Sequence, residues 1–231
     1  MINHYPYEKL GQANHGWLDA RHHFSFANYH NPKRQQFGAL RVINDDIIKA
    51  GAGFDTHSHN NMEIITYVRQ GAITHRDSNG NVGRTVAGDV QVMSAGTGVF
   101  HSEFNLESED THIFQIWIEP NQLNVKPRWD SYQFPKESTP EALMLLVSGD
   151  GEAPLSIHQD ASIYAGHLCQ GMQLTHRIKH QAYVLVSDGT LQLEGRLLNK
   201  GDGLEVTKQS VIKLKALNNT KILVIDVPQT H

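Results

Sequence analysis

The chain has 231 residues, with 20 Lys and Arg against 24 Asp and Glu, a formal net charge of -4. Two domains, each with its own core, fit this length better than one, and the lack of a basic excess argues against broad binding to nucleic-acid phosphates or anionic lipid. Cys169 is the only cysteine, which excludes an intrachain disulfide, a four-cysteine zinc site and a thiolate-held iron–sulfur cluster.

The N-terminal text MINHYPYEKLGQ lacks the apolar stretch of a secretory signal, and the longest apolar run, 142–147, is too short to span a bilayer. A cytoplasmic protein is expected, with no membrane contact and no direct contact with nucleic acid. Apolar positions recur in short runs separated by Gly, Asn, Asp or Pro, which is the rhythm of strands rather than helices. In chain order, strands are predicted at 39–45 (ALRVIND), 62–68 (MEIITYV), 71–77 (GAITHRD), 89–94 (DVQVMS) and 112–119 (HIFQIWIE), with DSNGN (77–81) as a turn. Between Pro120 and Pro140 the text becomes polar and is interrupted by Pro127 and Pro135, so an inter-domain connection is expected there. Strand-like text resumes at 142–148 (ALMLLVS). The second half then echoes the first: TYVRQGAIT (66–74) and AGDVQV (87–92) return as AYVLVSDGTLQLEG (182–195) and KGDGLEV (200–206). The reading is an all-β chain of two antiparallel, jelly-roll-like β-barrels, residues 1–134 and 135–231.

Histidine is over-represented, with 15 residues, ten of them before residue 113. His57 and His59 stand two apart in strand-like text, so both rings face one side, and His101 and Glu103 repeat that spacing. If the two segments oppose each other, three imidazoles and a carboxylate converge on a point that suits a borderline divalent metal. Glu63 shares the parity of His57 and His59, so strand phase alone does not decide between Glu63 and Glu103. His158, His167, His176 and His180 form no HxH pair and no HxE, and are expected to be incidental. Cys169 reads as a small buried hydrophobe rather than a nucleophile. His22 and His23 read as structural or surface groups, and SAGTG (94–98) as a turn. Trp17, Phe24, Phe26, Met93 and Phe100 lie near the motifs, where core packing and substrate contact explain them equally well.

The spacing Gly51, His57, His59, Glu63, Gly71, followed by Gly88, Gly98, His101 and Asn105, resembles the cupin pattern, with Ser94 where a cupin often has proline. Together with NHGWLDARHHFSFANYHNP (14–32), FGALRVINDD (37–46), MSAGTGVFHSEFN (93–105) and QIWI (115–118), it resembles the bacterial pirin-like proteins of the quercetinase type. The resemblance implies a bicupin whose N-terminal barrel alone binds metal, through His57, His59, His101 and Glu103. It further implies Glu103 as the catalytic base, with Glu63 outside direct contact and orienting an imidazole. The implied cofactor is one divalent ion, Fe(II) first, with Mn, Co, Ni, Cu or Zn accepted by the same donors. The implied activity is a dioxygenase that cleaves the 2,3 bond of quercetin or a related flavonol with O2 and releases CO. The alternative implied by the same family is a metal- or redox-responsive regulatory protein that binds a protein partner. A monomeric chain is expected, and the substrate-binding residues are left open.

Overall fold

The computed structural model describes residues 1–139 and 141–230; Pro140, one of the prolines of the expected connection, lies outside the described residues. In chain order the strands are β1 (Ile2–Tyr5), β2 (Gly11–Asn14), β3 (Leu18–His22), β4 (Leu40–Ile48), β5 (Gly53–His59) and β6 (Glu63–Gln70). They continue as β7 (Ala72–Asp77), β8 (Val82–Val86), β9 (Val90–Ser94), β10 (Val99–Phe104), β11 (Thr111–Ile118) and β12 (Arg128–Tyr132). The rest are β13 (Met144–Ser148), β14 (Leu155–Ser156), β15 (Ser162–Leu168), β16 (Gln173–Arg177), β17 (Gln181–Asp188) and β18 (Thr190–Leu193). The last four are β19 (Arg196–Asn199), β20 (Gly203–Val206), β21 (Val211–Ala216) and β22 (Thr220–Val227). Among the described residues there is no α-helix, only one 3-10 turn at Tyr7–Lys9, and no helix long and apolar enough to cross a membrane.

The chain forms two compact units, one of Gly11–Pro135 with Pro154–Gln159, the other of Met1–Leu10, Lys136–Ala153 and Asp160 onward. In the first unit a large sheet of order β12-β9-β6-β11-β4-β3-β2 and a small sheet of order β5-β10-β7-β8 carry the chain. The second unit repeats both: β1-β20-β17-β22-β15-β13 in the large sheet and β16-β21-β18-β19 in the small one. Among the described residues these strands pair antiparallel, and the large and small sheets of a unit are separate. Each unit is thus a double-sheet jelly roll, the all-β bicupin architecture expected from the sequence.

The sequence echo falls on equivalent places. Tyr67 lies on β6 and Tyr183 on β17, both buried, and Gly88 and Gly201 turn the chain at φ +84° and +85° before β9 and β20. These are conformations that glycine adopts without steric penalty. In the first unit Ile48, Val68, Ile73 and Ile113 make one apolar cluster, and Ile64, Met93, Ala95 and Val99 another. The second unit has a larger cluster that includes Leu174, Val184, Leu193, Ile212, Leu214 and Val224.

The predicted strands at 39–45, 62–68, 71–77, 89–94, 112–119 and 142–148 correspond to β4, β6, β7, β9, β11 and β13. The expected irregular connection holds one further strand, β12, which pairs with β9 at the margin of the large sheet. Proline beside an edge strand removes no ladder bond, so Pro127 hides a strand without preventing it. Cys169 is exposed, which corrects the expectation of a buried thiol. It follows directly on β15, in the turn that leads to β16, where Met172 rather than Cys169 packs against the core.

Candidate metal centre

Residues 53–59 and 99–104 form β5 and β10, and the pairing of the two strands puts His101 directly opposite His57 and Val99 opposite His59. Residues opposite each other in an antiparallel ladder share a face, so His57, His59 and His101 converge. Their donor atoms lie within 4.8 Å of one another, and His57 Nε2 is 3.1 Å from His101 Nε2. His57 Nδ1 is 2.7 Å from the carbonyl oxygen of Asp55, which only accepts, so this nitrogen carries the proton and Nε2 presents a lone pair. Burial, with the charges of neighbouring histidines, pushes His59 down to about 4 and His101 down to about 2, keeping both rings neutral. Imidazole lone pairs gathered at this distance repel one another unless a cation lies among them. The donor set therefore fits a divalent metal.

Glu103 sits on the same face of β10, opposite His75 on β7. It is fully buried and held by three uncharged donors from the large sheet. Thr66 Oγ1 and Gln91 Nε2 donate to Oε1 at 3.2 and 2.6 Å, and Gln115 Nε2 donates to Oε2 at 2.8 Å. Burial pushes its carboxyl up to about 7 against the pull of those hydrogen bonds. A carboxylate oxygen of Glu103 also lies within 4.8 Å of donors of His75 and His101, so His101 belongs to both groupings.

Gln91, Thr66, Gln115, Asn44 and His22 stand opposite one another on β9, β6, β11, β4 and β3, a polar row across the inner face of the large sheet. Periodicity does not reveal this row, because each member interrupts an apolar strand. The signal available was a lone amide or hydroxyl in the middle of DVQVMS, EIITYV and HIFQIWI. His22 bonds Asn44 Oδ1 at 2.8 Å and both are buried, in keeping with a structural role.

Glu63 faces the other way. It lies three residues from Thr66 on β6, so the two side chains leave opposite faces of the strand. Its oxygens meet Ser94 Oγ at 2.7 Å and His158 Nδ1 at 3.2 Å, and among the described residues it bonds none of the three clustered imidazoles. The turn between β5 and β6, with Asn61 at φ +44°, resets the parity that Glu63 shares with His57 and His59 in the sequence.

A cleft of about 530 Å³ opens onto His57 and His59, and Trp17, Phe26, Phe54, Phe104 and Trp117 form its apolar walls. Trp117 meets the His59 ring edge-on at 4.9 Å. Of the other aromatic and soft residues near the motifs, Phe24 and Met93 are buried in packing, and Phe100 is exposed. His176 packs on Tyr164 at 4.6 Å, and His180 lies 3.0 Å from Asp160, so these two do not share a site.

Residues 4–118 match the family model Pirin, and residues 145–227 match that of the quercetinase C-terminal cupin domain. A "Pirin-like protein" of Caulobacter vibrioides is 47% identical, over 98% of this chain and 99% of that protein. The chain belongs to the pirin family. Another relative, the "Quercetin 2,3-dioxygenase" of Escherichia coli K12, is 41% identical over 94% of this chain and 95% of that one. Among solved structures, the bacterial pirin YhhW of Escherichia coli in complex with nickel(II) superposes with a TM-score of 0.93 at 40% identity, covering 100% of both chains. The chain is thus a bicupin pirin, with a histidine cluster able to hold a metal in its first unit.

Proposed function

We propose that this pirin is a metal-dependent dioxygenase that opens the central ring of quercetin or a related flavonol at the 2,3 bond, consuming O2 and releasing CO. The observation that carries this reading is the junction of three converging imidazoles with an aromatic cleft of about 530 Å³. The dioxygenase name of the Escherichia coli relative and the nickel complex of YhhW support it.

In this reading His57, His59 and His101 hold the ion and Glu103 is the fourth donor, with Fe(II) favoured among the divalent metals that imidazole and carboxylate accept. The bound ion supplies Lewis acidity toward a chelating hydroxy-ketone and coordination positions open to exogenous ligands. Trp17, Phe26, Phe54, Phe104 and Trp117 provide flat apolar walls for a fused aromatic ring system and keep water from it. Glu103 takes the proton of the flavonol 3-hydroxyl on a carboxylate oxygen as general base. Thr66, Gln91 and Gln115 prevent that carboxylate from swinging. Gln115 also lines the cleft, so it links the substrate chamber to the base.

The test is oxygen uptake and CO release with quercetin, using protein reconstituted separately with Fe(II), Mn, Co, Ni and Cu. CO release is expected to require metal and to vanish in His101→Ala, and Glu103→Gln is expected to lose turnover while keeping the wild-type melting temperature. No uptake with any ion, despite stoichiometric binding, would overturn the dioxygenase reading.

A further inference from the structure

His101 has a second imidazole neighbour that the metal-donor set does not use. His75, on β7, is completely buried, and its Nδ1 lies 3.4 Å from His101 Nδ1, on the far side of that ring from His57. Its other nitrogen, Nε2, lies 3.0 Å from Asp77 Oδ2. Trp129 stacks flat on the His75 ring, 5.0 Å between centroids at 10°. The four groups Asp77, His75, His101 and His57 thus follow one another in contact.

We propose that Asp77 and His75 act as positioning residues that fix the tautomer of His101, so that its Nε2 lone pair faces the metal. The inference rests on the metal site proposed above. Proton placement follows from what each atom is able to do. The Asp77 carboxylate also accepts from the backbone N–H groups of Asn79 and Asn81 and from Asn81 Nδ2, so it is an ionised acceptor. His75 Nε2 therefore carries a proton and donates it. Two ring nitrogens 3.4 Å apart share one proton; with its Nε2 committed to Asp77, His75 offers Nδ1 as the acceptor, and His101 Nδ1 carries the proton between the two rings. The remaining nitrogen of His101, Nε2, is unprotonated and points at His57. A carboxylate behind a ligating histidine is a recurrent way to fix ring tautomer and raise ligand basicity. Here a second imidazole is interposed.

The turn anchors the outer end of this relay. Asp77 Oδ1 accepts from Asn79 N at 2.9 Å and Asn81 N at 3.0 Å. In Asp77→Asn those two backbone donors, fixed by the turn, retain the amide oxygen, and the Asn81 side chain, whose Nδ2 meets Oδ2, is free to turn its own oxygen to the new NH2 group, which then faces His75 Nε2. His75 must then accept at Nε2 and carry its proton on Nδ1. His101 is driven to the Nε2–H tautomer, with its metal-facing lone pair blocked. Among the described residues the Asp77 side chain bonds none of the three clustered imidazoles, so a merely structural role would leave that tautomer unchanged.

Long-range 1H–15N correlation spectra of the metal-free protein read this directly. His75 protonated only at Nε2 and His101 only at Nδ1 are the expected wild-type states, with both reversed in Asp77→Asn. Competition between the protein and a chelator for Ni(II) is expected to show Asp77→Asn weaker by roughly 10–100-fold, with an unchanged melting temperature. His75→Gln, whose amide oxygen is able to accept from His101 Nδ1, is expected to bind Ni(II) more tightly than His75→Leu. His101 protonated at Nε2 in the wild type, or wild-type Ni(II) affinity in Asp77→Asn, would overturn the relay. Wild-type protein with the expected tautomers but no Ni(II) binding would instead defeat the metal-site reading alone.

Discussion

Glu103 and Asp46 are both buried carboxyls in the first unit, and their surroundings differ. Three hydrogen-bond donors satisfy Glu103, whereas Oδ1 of Asp46 is buried without a partner. Burial, then the negative charges of Asp45 and Glu103, raise the Asp46 carboxyl well above its ordinary range, with Arg69 opposing. A raised folded-state value means that folding favours the protonated acid. That stabilisation is complete below the ordinary carboxylate range and is lost as pH rises toward the folded-state value. Asp46→Asn keeps the shape and never ionises. Its stability advantage over wild type is therefore expected to be near zero at pH 4 and to grow to about 1–3 kcal/mol at pH 7, read by urea unfolding at both pH values. An equal gap at the two pH values would refute this account. At this scale the pairs His57/His59 and His101/Glu103 were legible in the sequence, because i, i+2 spacing within one strand is local information. His75 was not, since it stands singly in GAITHRD and acquires meaning only when β10 is laid beside β7.

The small sheet β5-β10-β7-β8 is the element that assembles the centre, and β8 contributes to it by what it lacks. Gly83, opposite His75, leaves room for the Trp129 indole: a Cβ there would lie 2.0 Å from the ring. Gly83→Ala is expected to push Trp129 off the His75 face and to destabilise the protein by about 1–3 kcal/mol, through overpacking, in a denaturant-unfolding comparison. Wild-type stability in that variant would show that the indole shifts freely. Strand existence was legible where apolar alternation and turn residues agreed, as in DSNGN, whose Asp77 caps the turn and whose Gly80 takes φ +87°. It was illegible for β12, where proline and polar residues mark an edge strand in the same way as a linker. The facing of Glu63 was also illegible, because parity does not carry through a turn.

Across the whole molecule, duplication preserved architecture and discarded donors. In the first unit His101 pairs with His57 and Asp77, and Glu103 with His75. At the matching ladder positions of the second unit Ile212 pairs with His176, and Leu214 with Leu193. Three buried aliphatic side chains thus stand where the first unit has His101, Glu103 and His75, and one histidine does not make a site. Elemental analysis after dialysis against Ni(II) is expected to give one ion per chain; two per chain would contradict the assignment to the first unit. The sequence announced this asymmetry through its histidine distribution, but the aliphatic replacements became visible only with the register. The aromatic walls carry one more consequence. All three tryptophans, Trp17, Trp117 and Trp129, belong to the first unit, and two of them abut histidines of the centre or its relay. Indole fluorescence from this chain consequently originates in the first unit alone, beside the clustered histidines.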